Sequence, residues 1–421
     1  MPSITSLSDL NFPEFVQEND IIAWPQGPGE PLALTRMLVS QRKEIKNVSL
    51  FFGLTHSETL TPELTDNFKL LALNGAGSSR HVTSVADMVP CYVSAIPSMF
   101  RSGLLRAEVV LIQVKPISKG LYTLGVIADY TQAMVDQARV VVALINTSLP
   151  ITRQDALIHE HDIDLFVQGD ESIIDMPDPK PSEMESQIAK HVVGLIPDRA
   201  TIQLGVGTLP VAIAYALKDH RDLGFHSGVV TDALVDLVER GVVTNAFKGC
   251  DQGRTITGGL FGTQQLRDFA HRSGLIEMRS SDYTHNLSVA ATISKYHTIN
   301  SAIEIDLTGQ INSEVAGGRY LGAVGGQVDF VRAGLASAGG HSIIAFESTS
   351  LKGQQSRIVP SLGNRPVSTG RFEVDLIVTE FGVANLRGCP LKERAKRLIA
   401  IAHPVHRESL IKAVFEGGTF S

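Results

Sequence analysis

Cysteine, tryptophan and long apolar runs are scarce in this chain, and each scarcity excludes a class of protein. The 421 residues include one tryptophan and three cysteines, and the cysteines are too far apart to form a metal-ligand motif. An odd, sparse set of cysteines argues against a disulfide framework and favours a reducing compartment. No apolar run reaches the roughly 18 residues that a membrane-spanning helix needs. We therefore expect a soluble, cytoplasmic protein with no membrane partner.

An excess of positive charge is lacking as well. Lysine and arginine total 37 residues against 44 aspartates and glutamates, which gives a formal net charge of -7. Nucleic-acid-binding proteins carry clustered basic residues, and no such cluster is evident, so we expect no nucleic-acid partner. The first 20 residues contain acids and no apolar core, which argues against a secretory signal peptide.

What the chain does contain is an alternation of two patterns. Short apolar runs rich in β-branched residues are typical of buried parallel strands, and they are NVSLFFGL, AEVVLIQV, ARVVVALI, IDLFVQG, TIQLG, SIIAF and VDLIVTEFG. Between them, apolar residues recur at helical spacing in EPLALTRMLVSQRKEI, TLPVAIAYALKDH and CPLKERAKRLIAIA. Strands that alternate with helices predict an α/β fold with mostly parallel sheets.

A proline-rich, acidic segment divides the chain. The stretch DESIIDMPDPKPSEMESQIAKH has the composition of a linker. We therefore predict two α/β domains, residues 1–185 and 186–421. A cleft between two domains is a common place for a ligand, and we expect the active site there.

Two glycine-rich loops are candidates for binding negative charge. Gly205, Val206 and Gly207 follow a predicted strand and precede a helix, whose N-terminus favours anions. Gly325 and Gly326 precede Gln327, and backbone donors beside an amide could hold an oxyanion. The alternative for both is an ordinary turn. A nicotinamide site is disfavoured, because the third glycine of the dinucleotide-binding pattern is absent.

A carboxylate follows the predicted strand SIIAF. Glu347 comes directly after the strand, and ligands of open α/β sheets bind at the carboxyl ends of strands. An apolar setting should raise the pKa of this side chain, which is common among catalytic carboxylates. The alternative is a capping or salt-bridged glutamate.

The histidines give no comparable signal. His159 and His161 are two residues apart, which suits a helical metal site poorly, and we expect no metal. His226 and Ser227 lack the G-x-S-x-G turn of an α/β-hydrolase. His403 more often belongs to a helix end than to a site.

In their order along the chain, the motifs resemble those of the acetyl-CoA hydrolase/transferase family, the class I CoA-transferases that include 4-hydroxybutyrate CoA-transferase. The resemblance covers nearly the whole chain. It rests on QGPGEPLALTRML, AIPSMFRSGLLRAEVVLIQVKPISKGLYTLGVIADYT, QLGVGTLPVAIA, NSAIEIDLTGQINSE, GGQVDF, GQQSRIVP, VTEFGVANLRG and ERAKRLIAIAHP.

The resemblance implies a reaction and a division of the site. A glutamate attacks an acyl-CoA thioester and forms an acyl-glutamyl anhydride; CoA returns to give a glutamyl-CoA thioester, which an acceptor carboxylate then attacks. Coenzyme A and acyl-CoA are thus substrates. The two glycine loops are expected to hold the reacting carbonyl, and the first half, with Gln26 and Ser94, to shape the acyl pocket. The expected CoA contacts are Ser348, Thr349, Lys352, Gly353, Ser356 and Arg357.

The chain departs from the family pattern at the position that matters most. The family's glutamate lies in a short HTE or YTE stretch, and the matching residue here is Gly228, which cannot form an anhydride. A second departure adds a carboxylate, because FEST at residues 346–349 stands where the family has LPST. Our hypothesis is that Glu347 replaces the missing nucleophile and that Gly228 makes room for its side chain or for a larger acyl group.

Three functions remain open at this stage. The first is a CoA-transferase acting on acetyl-, butyryl- or succinyl-CoA and a small carboxylate. The second is an acyl-CoA thioesterase, and the third a non-catalytic acyl-CoA-binding protein. A dicarboxylate acceptor such as succinate or itaconate would follow if an arginine of the first half paired with its second carboxylate, the candidates being Arg36, Arg80, Arg101 and Arg106. We expect a homo-oligomer, most simply a symmetric dimer.

Overall fold

Among the residues that the structure describes, the first half of the chain has eleven strands and three helices. The computed structural model describes residues 3–155, 157–350 and 353–416. The first-half strands are β1 (Ser3–Ser6), β2 (Ile21–Ala23), β3 (Val48–Phe52), β4 (Phe68–Ala72), β5 (Asp87–Met88), β6 (Val109–Ser118), β7 (Leu121–Thr123), β8 (Val140–Ile145), β9 (Arg153–Gln154), β10 (Ile158–His159) and β11 (Leu165–Gln168). The helices are α1 (Leu32–Ser40), α2 (Ile96–Arg101) and α3 (Thr131–Val135).

The second half has more strands, most of them short. They are β12 (Thr201–Gln203), β13 (Gly224–Phe225), β14 (Val229–Val230), β15 (Thr255–Thr257), β16 (Gly259–Leu260), β17 (Ile276–Met278), β18 (Tyr296–Asn300), β19 (Glu304–Asp306), β20 (Ile311–Asn312), β21 (Val315–Ala316), β22 (Arg319–Tyr320), β23 (His341–Ala345), β24 (Thr349–Ser350), β25 (Gln355–Ser356), β26 (Ile358–Val359), β27 (Leu376–Thr379) and β28 (Gly382–Asn385). Its helices are α4 (Glu183–Val193), α5 (Thr208–Ala216), α6 (Ala233–Glu239), α7 (Gln264–Ser273), α8 (Ser281–Thr284), α9 (Leu287–Ala290), α10 (Gln327–Ala336), α11 (Leu391–Ala400) and α12 (Pro404–Glu416).

Each half is built around a parallel sheet. The first sheet has ten strands, and its main path runs β1-β11-β8-β6-β2-β3-β4-β5 with every neighbour parallel. The second has six strands in the order β13-β12-β18-β23-β27-β28, and only the last pair is antiparallel. All seven apolar runs identified in the sequence lie in these sheets, so the prediction of an α/β fold with mostly parallel sheets is confirmed.

The strand β23 separates two layers of helices in the second half. Ile343 and Ala345 pack in the same core as α4, whereas Ile344 and Phe346 pack with Val331 of α10. Side chains alternate between the faces of a strand, so α4 and α10 cover opposite faces of the sheet. This alternation also decides which face the residues after β23 approach.

The segment interpreted as a linker is half helix. Its proline-rich part has no regular structure, but α4 begins at Glu183 and ends at Val193. The Ser182 side chain accepts a hydrogen bond from the Glu185 N–H, and the Glu185 side chain accepts one from the Ser182 N–H. This capping box starts the helix within a segment whose composition indicated a linker. The predicted boundary at residue 185 thus lies in the first turn of α4, which packs against α5 and β27 of the second sheet.

Backbone pairing joins the two halves. The strand β9 of the first half pairs with β17 of the second. An isolated bridge links Ile127 to Gly259, and another links Tyr92 to Gly325. In the part of the chain that the structure describes, no helix is both long and apolar enough to cross a membrane.

The capping box gives a testable expectation for stability. Ser182→Ala removes the hydroxyl that satisfies an N-terminal N–H of α4, and should lower the free energy of unfolding by about 1 kcal/mol. Ser182→Thr keeps the oxygen and should lose clearly less. Denaturant unfolding of the three proteins measures the effect, and equal losses in both variants would show that the cap contributes nothing.

Candidate active site

A cavity of about 220 Å³ lies where the two halves meet. Both halves contribute to its lining, which consists of Gln26, Leu54, Asn74, Val93, Asp129, Gln203, Leu204, Gly205, Val206, Ser227, Gly228, Val229, Gly258, Phe261, Ser281, Thr284, His285, Asn300, Gly325, Gly326, Gln327 and Phe330. Seven of the residues predicted for the oxyanion and acyl site are among them. Gly207 and Ser94 are not.

The first glycine loop reaches the cavity at the end of β12. Gly205 and Val206 line it, and α5 begins two residues later at Thr208. Gly207 has φ 119°, a conformation that glycine adopts without the steric cost of a side chain. The first N–H groups of a helix lack partners within the helix. The loop therefore brings the N-terminus of α5 to the edge of the cavity.

The second glycine loop also lines the cavity and is held by the first half of the chain. Val93 donates its N–H to the Gly325 carbonyl at 3.2 Å. Ser94 donates from both its N–H (3.1 Å) and its hydroxyl (2.6 Å) to the Asp329 carboxylate in the first turn of α10. Ser94 thus positions α10 and does not face the cavity. The N-termini of α5 and α10 converge there, which favours bound negative charge.

Gly228 leaves no space for a side chain. A Cβ at position 228 would lie 2.7 Å from Cε1 and 2.9 Å from Nε2 of His285. The imidazole is held by a 2.8 Å hydrogen bond between Nδ1 and the Thr284 hydroxyl, and its ring centroid lies 4.5 Å from that of Phe330. His285 also lines the cavity. The space where a side chain at 228 would begin is therefore filled by His285, and the idea that Gly228 makes room for Glu347 or for a larger acyl group gains no support.

The neighbouring His226–Ser227 pair is structural. Ser227 donates its hydroxyl to the Leu204 carbonyl at 2.7 Å, and His226 Nε2 lies 3.1 Å from the Thr284 carbonyl. Burial lowers the pKa of His226 to about 3, with the Lys248 charge as a further cause. These side chains fix the loop that precedes Gly228, in agreement with the absence of a hydrolase motif.

Among the described residues, one carboxylate lines the cavity, and no sequence pattern pointed to it. Asp129 follows the bridge residue Ile127 and is 5% exposed. Its Oδ1 accepts hydrogen bonds from the Thr131 N–H at 3.0 Å and hydroxyl at 2.8 Å. Among the described residues, its Oδ2 has no hydrogen-bond partner. Burial raises the pKa of Asp129 to about 6, and the Thr131 hydrogen bonds oppose that rise.

Glu347 lies elsewhere. It is not among the described residues of the cavity lining. Glu347 comes two residues after the end of β23, and its electrostatic neighbours are Glu185 at the start of α4, Arg357 and Glu380. Burial is the first cause of its raised pKa and the Glu185 charge the second, so the predicted direction of the shift is present. The Glu185 charge places Glu347 near the start of α4, which lies on the α4 face of the sheet.

The predicted CoA contacts are mostly engaged with the protein. Ser348 donates its N–H and hydroxyl to Glu380 at 2.9 and 2.6 Å. The Arg357 guanidinium donates to the carbonyls of Ile303, at 2.8 Å, and Ala302, and its carbon lies 5.2 Å from the ring centroid of Phe346. Thr349, Gly353 and Ser356 belong to a hairpin, and the Gly353 carbonyl also lies 3.1 Å from His406 Nε2.

That hairpin joins β24 to β25. Thr349 pairs with Ser356 in it, and the Ser356 hydroxyl donates to the Ile358 carbonyl at 2.6 Å. Gly353 has φ 90°, and Lys352 lies outside the described residues. The role of this segment in binding CoA stays a prediction.

The arginines considered for a second carboxylate do not reach the cavity. Arg36 pairs with Glu171 at 3.2 Å, and Arg106 pairs with Glu108 at 2.5 Å. Arg101 pairs with Asp282 through both carboxylate oxygens at 2.9 Å. The described residues that line the cavity include no lysine or arginine, so Arg80 does not line it either.

The contact between positions 228 and 285 can be measured as a coupling energy. Gly228→Ala forces a methyl group into the imidazole and should destabilise the protein by about 1–3 kcal/mol. In a His285→Ala background the same change should cost close to nothing. Gly205→Ala is the control, because a Cβ there meets no described atom within 4 Å. Additive effects of the two changes in denaturant unfolding would contradict this contact.

Comparison with known proteins identifies the family. Residues 8–176 match the acetyl-CoA hydrolase/transferase N-terminal domain, and residues 262–414 match its C-terminal domain. The 4-hydroxybutyrate coenzyme A transferase of Clostridium kluyveri is 36% identical over 402 residues, 94% of each chain. The succinyl-CoA:acetate/propanoyl-CoA:succinate CoA transferase of Fasciola hepatica is 36% identical over 89% of this chain and 80% of its own.

The solved structures give the same result. The 4-hydroxybutyrate CoA-transferase structure from Porphyromonas gingivalis is 31% identical, with a TM-score of 0.84 over 98% of this chain and 97% of that one. Both family domains are matched, and similarity extends over nearly the whole length of this chain. The chain belongs to the acetyl-CoA hydrolase/transferase family.

Proposed function

We propose that this protein is an acyl-CoA:carboxylate CoA-transferase, which moves CoA from a short acyl-CoA to a small carboxylate. The observation that carries the proposal is the cavity between the halves, where two glycine loops bring the N-termini of α5 and α10 together. Helix N-termini stabilise the negative charge that develops on a thioester or anhydride carbonyl during acyl transfer. The CoA-transferase relatives support the same reaction class.

The size of the cavity limits the acyl group. Its volume of about 220 Å³ is below the roughly 300–1,000 Å³ of sites that enclose drug-sized ligands. Leu54, Val93, Phe261 and Phe330 supply apolar surface for a short carbon chain. Acetyl and butyryl groups suit this space better than long acyl chains do.

The charge of the lining limits the acceptor. The described lining contains neutral polar groups, including Asn74, Gln203 and Asn300, and one carboxylate, but no lysine or arginine. A second carboxylate on the acceptor would be buried without a cationic partner, which costs several kcal/mol. We therefore propose a monocarboxylate acceptor, in place of the dicarboxylate that the first-half arginines suggested.

A panel of substrates tests this function. The protein is incubated with acetyl-CoA or butyryl-CoA and with acetate, propionate, butyrate, 4-hydroxybutyrate or succinate, and new thioesters are identified by mass. We expect transfer to the monocarboxylates and at least about tenfold slower transfer to succinate, equivalent to 1.4 kcal/mol of discrimination.

The reactions without acceptor are the control, and they separate the alternatives. Fast thioester loss that does not depend on a carboxylate would make the protein a hydrolase. Tight binding of acyl-CoA with no turnover under any condition would leave only a ligand-binding role.

A further inference from the structure

We propose that Asp129 is the carboxylate that attacks the acyl-CoA thioester in this protein, in the role that a glutamate at position 228 would have. The inference rests on the proposed CoA-transferase function and adds the residue that carries its covalent step. Two observations in one cavity support it. Gly228 has no side chain, and Asp129 is the one carboxylate in the described lining.

Backbone hydrogen bonds place Asp129 beside the segment that contains Gly228. The Gly258 N–H donates to the Gly228 carbonyl at 3.0 Å, and the Gly258 carbonyl accepts from the N–H groups of Ala128 (2.8 Å) and Asp129 (3.3 Å). Three chain segments thus run side by side. With roughly 4.8 Å between neighbouring strands, the backbones at 129 and 228 are about 10 Å apart and face the same cavity.

One oxygen of the Asp129 carboxylate is hydrogen-bonded, and the other is buried without a partner among the described residues. Thr131 fixes Oδ1, while Oδ2 is buried without a hydrogen-bond partner in the described structure. Gln26, which also lines the cavity, lies near enough to lower the pKa of Asp129 but outside hydrogen-bonding geometry. An unpaired buried carboxylate oxygen destabilises the fold, and such groups are frequent in catalytic sites.

A second Asp-x-Thr turn in the same chain shows what a structural carboxylate looks like. Asp306 is also buried, and its Oδ1 accepts from the Thr308 N–H at 2.9 Å and hydroxyl at 2.6 Å. Its Oδ2 accepts from the Gln310 side chain at 2.9 Å, so both oxygens are paired. Asp306 is not among the residues of the cavity lining. The same local motif therefore has both carboxylate oxygens paired at 306 and one buried oxygen without a described partner at 129, whose residue lines the cavity.

The chemistry balances without a further reactant. Oδ2 of Asp129 attacks the thioester carbon, the C–S bond breaks, and CoA leaves as a thiolate. The thiolate attacks the aspartyl carbonyl of the anhydride and releases the donor carboxylate. The acceptor carboxylate attacks the resulting aspartyl-CoA thioester, CoA leaves again, and its attack on the acceptor carbonyl frees Asp129. Every step exchanges one carboxylate or thiolate for another, with no net transfer of protons or electrons.

The other candidates fit this role less well. Burial lowers the pKa of His285 to about 3, which leaves a neutral imidazole of low basicity near neutral pH. Glu347 approaches the α4 face of the second sheet and is not in the described lining. Its predicted role is tested in the same experiment as that of Asp129.

Trapping the covalent intermediate identifies the attacking residue. The full chain is incubated with acetyl-CoA in the absence of an acceptor, treated with borohydride to reduce any protein–CoA thioester to an alcohol, and digested for peptide mass mapping. We expect homoserine at position 129. The corresponding alcohol at position 347, or no reduced residue in a preparation that transfers CoA, would overturn the assignment.

A matched pair of variants separates chemistry from folding. Asp129→Asn keeps the shape and an acceptor for Thr131, so it should melt no lower than the parent yet lose about a hundredfold or more of the transfer rate. Asp306→Asn should lower the melting temperature because it disturbs a fully paired carboxylate, and retain transfer per folded molecule. The opposite pattern, with transfer intact in Asp129→Asn, would reject the proposal. If the parent protein transfers no CoA at all, the proposed function fails instead.

The pH dependence gives a further readout. Attack requires the ionised carboxylate, so kcat/KM should be constant above pH 6 and fall about tenfold per unit below it. Other ionisable groups around Asp129 are Tyr130 and His285, and at a second cavity that Asp129 also lines, Arg101, Asp155 and Asp282. A profile that is flat down to pH 5 would contradict the role of Asp129.

Discussion

The site depends on the backbone hydrogen bonds of Gly258. Its N–H binds the Gly228 carbonyl of the second half, and its carbonyl binds Ala128 and Asp129 of the first. A Cβ on Gly258 would lie 2.9 Å from the Gly228 carbonyl oxygen, so the close approach of the three segments requires glycine. These backbone hydrogen bonds, together with the Ser94–Asp329 contacts, hold the two parallel sheets in a fixed relation. The cavity lies between these points of contact and is lined by residues of both halves.

Within that cavity, the absence of a side chain at Gly228 is coupled to the position of the His285 imidazole. His285 occupies the space next to Gly228, packed on Phe330 and hydrogen-bonded to Thr284. A carboxylate side chain at position 228 would require this imidazole to move. Gly228 is therefore part of a locally consistent packing, and both glycine loops line the same cavity. This explains how the site keeps its shape with a glycine at position 228.

The electrostatic character of the cavity follows from what lines it. Two helix N-termini supply partial positive charge, the described side chains supply neutral polar groups, and no described lysine or arginine is present. In such a setting a buried carboxylate keeps a raised pKa, because nothing nearby compensates its desolvation fully. The arrangement favours reactions that pass negative charge between a carboxylate, a thiolate and a carbonyl oxygen.

The sequence by itself determined the elements and the loops. Apolar patterns were enough for seven strands of the two large sheets and for α1, α5 and α11, because buried elements leave a local signature. The glycine loops were predictable for the same local reason, and the structure brings both to one cavity, although their chemical role stays a proposal. The helical part of the supposed linker was missed, because its prolines and acids outweighed the Ser182–Glu185 capping signal.

Only the tertiary structure decided which carboxylate faces the cavity. Glu347 and Asp129 both come after apolar residues, and Asp129 lies within a segment that carried the family resemblance. Which face of β23 Glu347 approaches depends on how α4 and α10 cover the sheet, and whether Oδ2 of Asp129 finds a partner depends on residues more than a hundred positions away. The sequence pattern Asp-x-Thr is the same at Asp129 and at Asp306. The two turns differ only in what the rest of the chain packs against them, because hydrogen-bond satisfaction is a property of the folded neighbourhood and not of the local sequence.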